Sequence, residues 1–129
     1  MQALMPAVSP DPGALPRPAS DRPQRYLFLL LDRFTLISFA AAIEPLRLAN
    51  RLSGKALYEW RLLGEGGTFA TCSNGTRLVL DGQLEESQRG DTILVCGGVD
   101  VTRAATRPVM GWLRREARRG ARMGALCTG

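Results

Sequence analysis

Met123-Gly124-Ala125-Leu126-Cys127-Thr128-Gly129 is the stretch on which the reading of this chain turns. A short apolar strand runs into a turn of small residues with a cysteine at its apex. The pattern has the form of a nucleophile elbow, a sharp turn that lifts one side chain above the end of a parallel sheet. A helix normally follows such an elbow, and its free N–H groups and dipole stabilise an anion there. The stretch therefore predicts an α/β fold with a ligand-binding or catalytic corner at Cys127. The competing reading is a packed thiol at a strand end, since cysteine is among the most buried residue types. The small neighbours Ala125, Thr128 and Gly129 favour the elbow.

Upstream of the elbow, strands and helices alternate. Tyr26 to Leu31 is a continuous apolar run, too short for a typical helix and without alternation, as in a strand buried on both faces. Leu36, Phe39, Ile43, Leu46 and Asn50 follow the helical period, with Thr35 as N-cap and Gly54 as stop. Pro45 inside that pattern predicts a kink or a division of the helix. Glu59 to Leu63 reads as a second strand. Thr68 to Thr71 and Thr76 to Leu80 flank the turn Ser73-Asn74-Gly75, a hairpin signal. Gln83 to Ser87 is expected to form one helical turn. Thr92 to Cys96 is another buried strand, ended by Gly97-Gly98, and Arg107 to Arg119 a second clear helix before the strand Arg122 to Leu126. Such alternation predicts a mostly parallel sheet, with ligands beyond the carboxyl ends of its strands. Three loops lie there: Asp32 to Leu36, Gly97 to Thr102, and the Cys127 elbow.

Composition narrows the chemistry. The 129 residues contain no histidine, which removes a Cys–His dyad, a Ser–His–Asp triad and the commonest zinc ligand from this chain. Three cysteines without CxxC spacing read as free thiols, Cys72 and Cys96 packed, and no metal site or cofactor is expected. Six of the eight prolines fall within residues 1–24, so a disordered tail is expected there and a globular part over 25–129. No export signal or membrane-length apolar run is present, and a cytoplasmic protein is expected. Sixteen of the 17 basic residues are arginine, and between Arg103 and Arg122 seven arginines stand against Glu116. That density is compatible with a nucleic-acid surface, but Trp112, Leu113 and Ala117 at helical spacing favour the solvated face of an amphipathic helix.

Paired glycines after a buried strand let a ligand approach the backbone and present N–H donors to an anion, so Gly97 and Gly98 join Cys127 as site candidates. Glu44, before Pro45, either points toward the sheet end or caps the helix portion after Pro45, and the capping role is preferred.

The first strand, the double glycine and Ala125-Leu126-Cys127-Thr128-Gly129, in this order, resemble the ThiJ/PfpI family of the class I glutamine amidotransferase-like superfamily. Phe39 to Leu52 (FAAAIEPLRLANRL), followed by Tyr58-Glu59-Trp60, is similar to the N-terminal domain of GlxA-type regulators of the AraC family. The resemblance implies a flavodoxin-like three-layer sandwich and a sensor for a small-molecule effector, bound near Phe34, Gly97, Gly98, Cys127 and Thr128. It also implies that DNA is met only through a C-terminal helix-turn-helix domain, and that the full-length protein is a homodimer away from membranes. Enzymes of the family carry an acid early in the first helix, and the matching position here is Ser38. Serine is no general base at neutral pH, so Cys127 is read as vestigial, the chain as non-catalytic, and the thiol as one whose pKa nothing depresses. The alternative is a ThiJ/PfpI-type cysteine hydrolase or deglycase. The family fold continues past its elbow, so the chain is expected to be a fragment, incomplete at the C-terminus.

Overall fold

A computed structural model describes residues 22–129. The expected proline-rich tail lies almost wholly outside the described residues; at its border Gln24 already belongs to the first strand. In chain order the elements are β1 (Gln24–Leu30), α1 (Leu36–Ser53), β2 (Tyr58–Leu63), β3 (Phe69–Thr71), β4 (Arg77–Val79), β5 (Thr92–Cys96), α2 (Val101–Ala104), α3 (Arg107–Arg118) and β6 (Arg122–Leu126). Strands β2-β1-β5-β6 form one sheet in that order, every pair parallel, while β3 and β4 form a separate antiparallel hairpin.

The unbroken apolar run of β1 follows from its central place. Successive side chains of a strand point to opposite faces. Leu27, Leu29 and Leu31 pack with Ile93, Val109 and Trp112 under α3, while Tyr26, Phe28 and Leu30 pack with Phe39, Ile43 and Leu46 of α1. The molecule is therefore a helix–sheet–helix sandwich with two apolar layers sharing one strand. Each fully buried Leu or Phe contributes about 1.5–3 kcal/mol, which makes β1 the element the fold can least spare.

Helix α1 runs undivided through Pro45 and ends on Gly54 at φ 67°, the left-handed conformation that glycine tolerates best. Its last turn is tied to β2 by Asn50, whose Nδ2 donates to the Tyr58 carbonyl (2.8 Å) and whose Oδ1 accepts from the Tyr58 N–H (2.9 Å). Glu44 caps nothing; it is exposed and pairs with Arg47 one turn on.

The helical turn expected over Gln83 to Ser87 is absent, and tertiary partners explain why. The Glu85 carbonyl accepts the Trp112 indole N–H at 2.8 Å, the Glu85 carboxylate pairs with Arg61, and Ser87 donates to buried Glu116 through Oγ (2.6 Å) and N–H (3.2 Å). The segment is drawn out as a strap along α3, its polar groups already committed elsewhere. At the far end of the sheet, Arg25 holds nearly buried Asp91 through Nε to Oδ1 (3.0 Å) and a second guanidinium nitrogen to Oδ2 (2.7 Å), and Asp91 also accepts the Gln88 N–H.

Candidate functional site

The sheet order places a switch point between β1 and β5. The chain leaves β1 through α1 toward β2 on one side and leaves β5 through α2 and α3 toward β6 on the other, so the loops after β1 and β5 diverge. Such points are where open α/β sheets bind ligands. The three expected loops meet there. The Thr35 N–H donates to the Gly97 carbonyl (2.9 Å), the Gly97 N–H to the Leu126 carbonyl (3.2 Å), and Thr128 Oγ1 to the Gly98 carbonyl (2.8 Å).

Gly97 and Gly98 make this interlock sterically feasible. A Cβ on Gly98 would lie 2.2 Å from the Arg33 carbonyl oxygen, and one on Gly97 would lie 2.5 Å from the Gly129 nitrogen. Both residues are buried, so their small size serves backbone-to-backbone packing. Phe34 is fully buried beneath them, edge-on to Phe39 with ring centroids 6.0 Å apart. Its backbone stitches the corner to the hairpin, the carbonyl accepting the Ser73 N–H at 2.8 Å.

Cys127 stands exposed above these residues at φ 57°, a left-handed conformation that costs a non-glycine residue roughly 1–2 kcal/mol. The fold brings it to the start of α1. Thr35, the N-cap, makes no side-chain capping bond; its hydroxyl turns outward and donates to Cys127 Sγ at 3.5 Å. Ser38, in the first turn of the helix, is also near enough to act on the thiol. The expectation that nothing depresses the Cys127 pKa is corrected. The Thr35 hydroxyl first, opposed in part by desolvation, then the Thr128 N–H and the Ser38 hydroxyl, lower it from the ordinary thiol value. Looking for acids, bases and a downstream helix overlooked neutral donors, which also stabilise a thiolate. In contrast, burial pushes the Cys96 thiol up to about 12, and Cys72 is also raised by burial. The groups holding Cys127 are hydroxyls and a backbone N–H, with no carboxylate among them to take a proton.

Beside the corner lies a cavity of about 520 Å³ whose lining includes Asp32, Arg33, Glu65, Phe69, Asp100 and Arg103. Arg33 (φ 60°) and Asp100 (φ 56°) are both in the left-handed region and are joined across the switch point by an ion pair at 3.0 Å. Glu65, in a glycine-rich loop, accepts from Thr106, the N-cap of α3. The sequence pointed to the Asp32 loop and the loop after Gly97, which supply Asp32, Arg33 and Asp100 to this cavity, but not to its Gly64, Glu65, Gly66 and Phe69 side. The positive φ of Arg33 and Asp100 has no signature in residue type alone. Among the described residues, no cluster of His, Cys, Asp and Glu has the arrangement of a metal site, and no helix is long and apolar enough to cross a membrane.

No family model matches the chain. It is 46% identical over 112 residues to the HTH-type transcriptional regulator GbdR of Pseudomonas aeruginosa, covering 87% of this chain and 30% of that protein. To the HTH-type transcriptional regulator GlxA of Rhizobium meliloti it is 38% identical over 107 residues, 82% of this chain and 33% of that one. The chain thus spans about a third of the length of the curated relatives it matches. Among solved structures, an AraC family transcriptional regulator from Pseudomonas putida superposes with a TM-score of 0.70 at 28% identity, covering 80% of this chain and 64% of that one. A ThiJ/PfpI family protein from Pseudomonas syringae gives 0.65 at 15% identity, covering 94% and 52%, which shows the fold alone. Over most of its length the chain is a relative of AraC/GlxA-type helix-turn-helix regulators, on a ThiJ/PfpI-type α/β fold.

Proposed function

We propose that this relative of AraC/GlxA-type regulators is the effector-sensing part of such a protein and performs no catalysis. The observation that carries the reading is the set of partners of Cys127: an elbow thiol held by Thr35, Thr128 and Ser38, with a hydroxyl where an enzyme of this fold needs a proton acceptor. Such a corner binds; it does not turn over. The effector is a small metabolite, nitrogenous or amino-acid-derived, seated over Gly97, Gly98, Cys127 and Thr128. Phe34 sets the loop from below, and the body of the ligand extends past Arg33 into the adjoining cavity. In the whole protein, a cytoplasmic homodimer on this reading, sequence-selective contact with DNA belongs to a helix-turn-helix domain.

A second reading has one observation in its favour. The lowered pKa and left-handed backbone of Cys127 are properties of a nucleophile, so a cysteine hydrolase or deglycase is the alternative. A thermal-shift screen of small metabolites separates the two. A ligand at 100 times its Kd stabilises by about 2.7 kcal/mol. The sensor shows that shift and leaves the ligand unaltered on prolonged incubation. Hydrolysis or deglycation that disappears in Cys127→Ser overturns the sensor reading.

A further inference from the structure

The structure sorts the seven arginines between residues 103 and 122 into two groups. Arg115 and Arg119 belong to the fold. Arg119 reaches Glu116 at 3.4 Å, the Ser87 carbonyl at 3.1 Å and Glu86, and Arg115 lies 4.0 Å from Glu116. The side chains of Arg103, Arg107, Arg114, Arg118 and Arg122 make no hydrogen bond or ion pair among the described residues.

Three of these five share one side of α3. At 3.6 residues per turn, Arg107, Arg114 and Arg118 fall within about 40° of one another, opposite buried Val109, Trp112 and Glu116. They run about 16 Å along the helix. Gly111 lies between them near the same stripe. A Cβ there would meet nothing within 4 Å, so packing does not call for a glycine, although glycine weakens a helix interior. The stripe is a row of guanidinium groups around a point where the helix backbone is bare.

We propose that this face of α3 binds the phosphate backbone of duplex DNA without reading its sequence. The planar guanidinium fork matches phosphate oxygens in pairs, and a bare glycine lets a bulky rod come close to the helix. A lipid surface fits poorly, because a membrane-bound helix needs an outward apolar face and the apolar side of α3 is already packed on the sheet. Choosing DNA among polyanions rests on the regulator reading; the existence of the face does not. The proposal departs from the expectation that DNA is met only through a helix-turn-helix domain. Base-specific contacts remain there, while α3 supplies sequence-indifferent ones.

The test is fluorescence anisotropy of this chain with a labelled random-sequence duplex, as a function of salt. Two triple variants are compared: Arg107→Gln/Arg114→Gln/Arg118→Gln, and a control of equal charge, Arg51→Gln/Lys55→Gln/Arg89→Gln. The α3 arginines hold nothing in the fold, so melting temperatures should match the parent. The α3 variant is expected to bind at least about tenfold more weakly than the control at low salt, its log–log salt slope smaller by about 3. Equal losses in both variants would mean net charge alone, and undetectable binding by the parent would mean no such surface; either overturns the proposal. Competition by poly-glutamate as effective as by unlabelled duplex, charge for charge, would overturn it in favour of an acidic protein partner. None of these outcomes bears on effector binding, which the thermal-shift screen reads separately.

Discussion

Cys96 and Cys127 end neighbouring strands, and the structure treats them in opposite ways. Cys96 is the last residue of β5, level with Leu126 of β6 in the parallel register, and its side chain packs with Phe28 and Phe34. Cys127 is one residue further along β6 than that register reaches. One step past the ladder reverses the backbone to a positive φ, turns the side chain out, and exchanges an apolar wall for hydroxyl donors. The environment pushes one thiol up to about 12 and draws the other below its ordinary value. In this chain the opposite surroundings of the two thiols follow from their positions relative to the last hydrogen-bonded pair.

The largest expected effect is in labelling. With thiolate as the nucleophile and tenfold per pKa step, native Cys127 should alkylate at least roughly a thousandfold faster than Cys96 near neutral pH. Unfolding should bring the two rates together, and peptide mapping after timed quenching reads both. Comparable native rates would break the contrast. Stability carries the same signature. Because the folded value of Cys96 is raised, its contribution is complete below the ordinary thiol range and is lost as pH climbs toward about 12. Alkaline unfolding should therefore be less steep in Cys96→Ala.

Gly98→Ala comes next. Its Cβ would strike the Arg33 carbonyl, and overpacking of this kind costs up to about 3 kcal/mol, read as a shifted denaturation midpoint. A neutral result would show that the β1 and β5 loops can part, removing the rigid base under Cys127.

Smaller still is the strain at the elbow. Cys127→Gly should raise stability by up to about 1 kcal/mol, as glycine accepts φ 57° without a Cβ penalty. Cys96→Gly should lower it, by leaving a cavity in the layer under α1. If both changes destabilise alike, the elbow is not strained. The smallest effect is Thr35→Val, which removes the hydroxyl that donates to the thiol. The inflection in alkylation rate against pH should move up, slowing Cys127 a few-fold at pH 7.

Periodicity and turn chemistry carried most of the fold. The six-residue apolar run, the Ser73-Asn74-Gly75 hairpin and the Gly54 stop each express a backbone requirement that residue type reveals. Gln83 to Ser87 did not yield to that logic, because its conformation is imposed by Trp112, Arg61 and Glu116, between 24 and 29 residues from their partners. Glu116 passed as one acid among arginines, although it is almost wholly buried and anchors the strap. At the candidate site, small residues and paired glycines pointed to loops that the fold does bring together. The Thr35 hydroxyl on Cys127 spans 92 positions of sequence, and no local pattern announces such a contact.

That span has a kinetic consequence. All strand pairs of the main sheet are parallel, so none closes through a short hairpin, and the corner needs β1, β5 and β6 all in register. Sheets built from distant segments assemble slowly, since loop closure is unfavourable before any contact compensates for it. The environment of Cys127 should then be among the last features to appear during refolding. Pulse alkylation would follow it without any introduced dye, with Cys96 reporting closure of the interior in the same sample: the chain carries its own two-channel stopwatch.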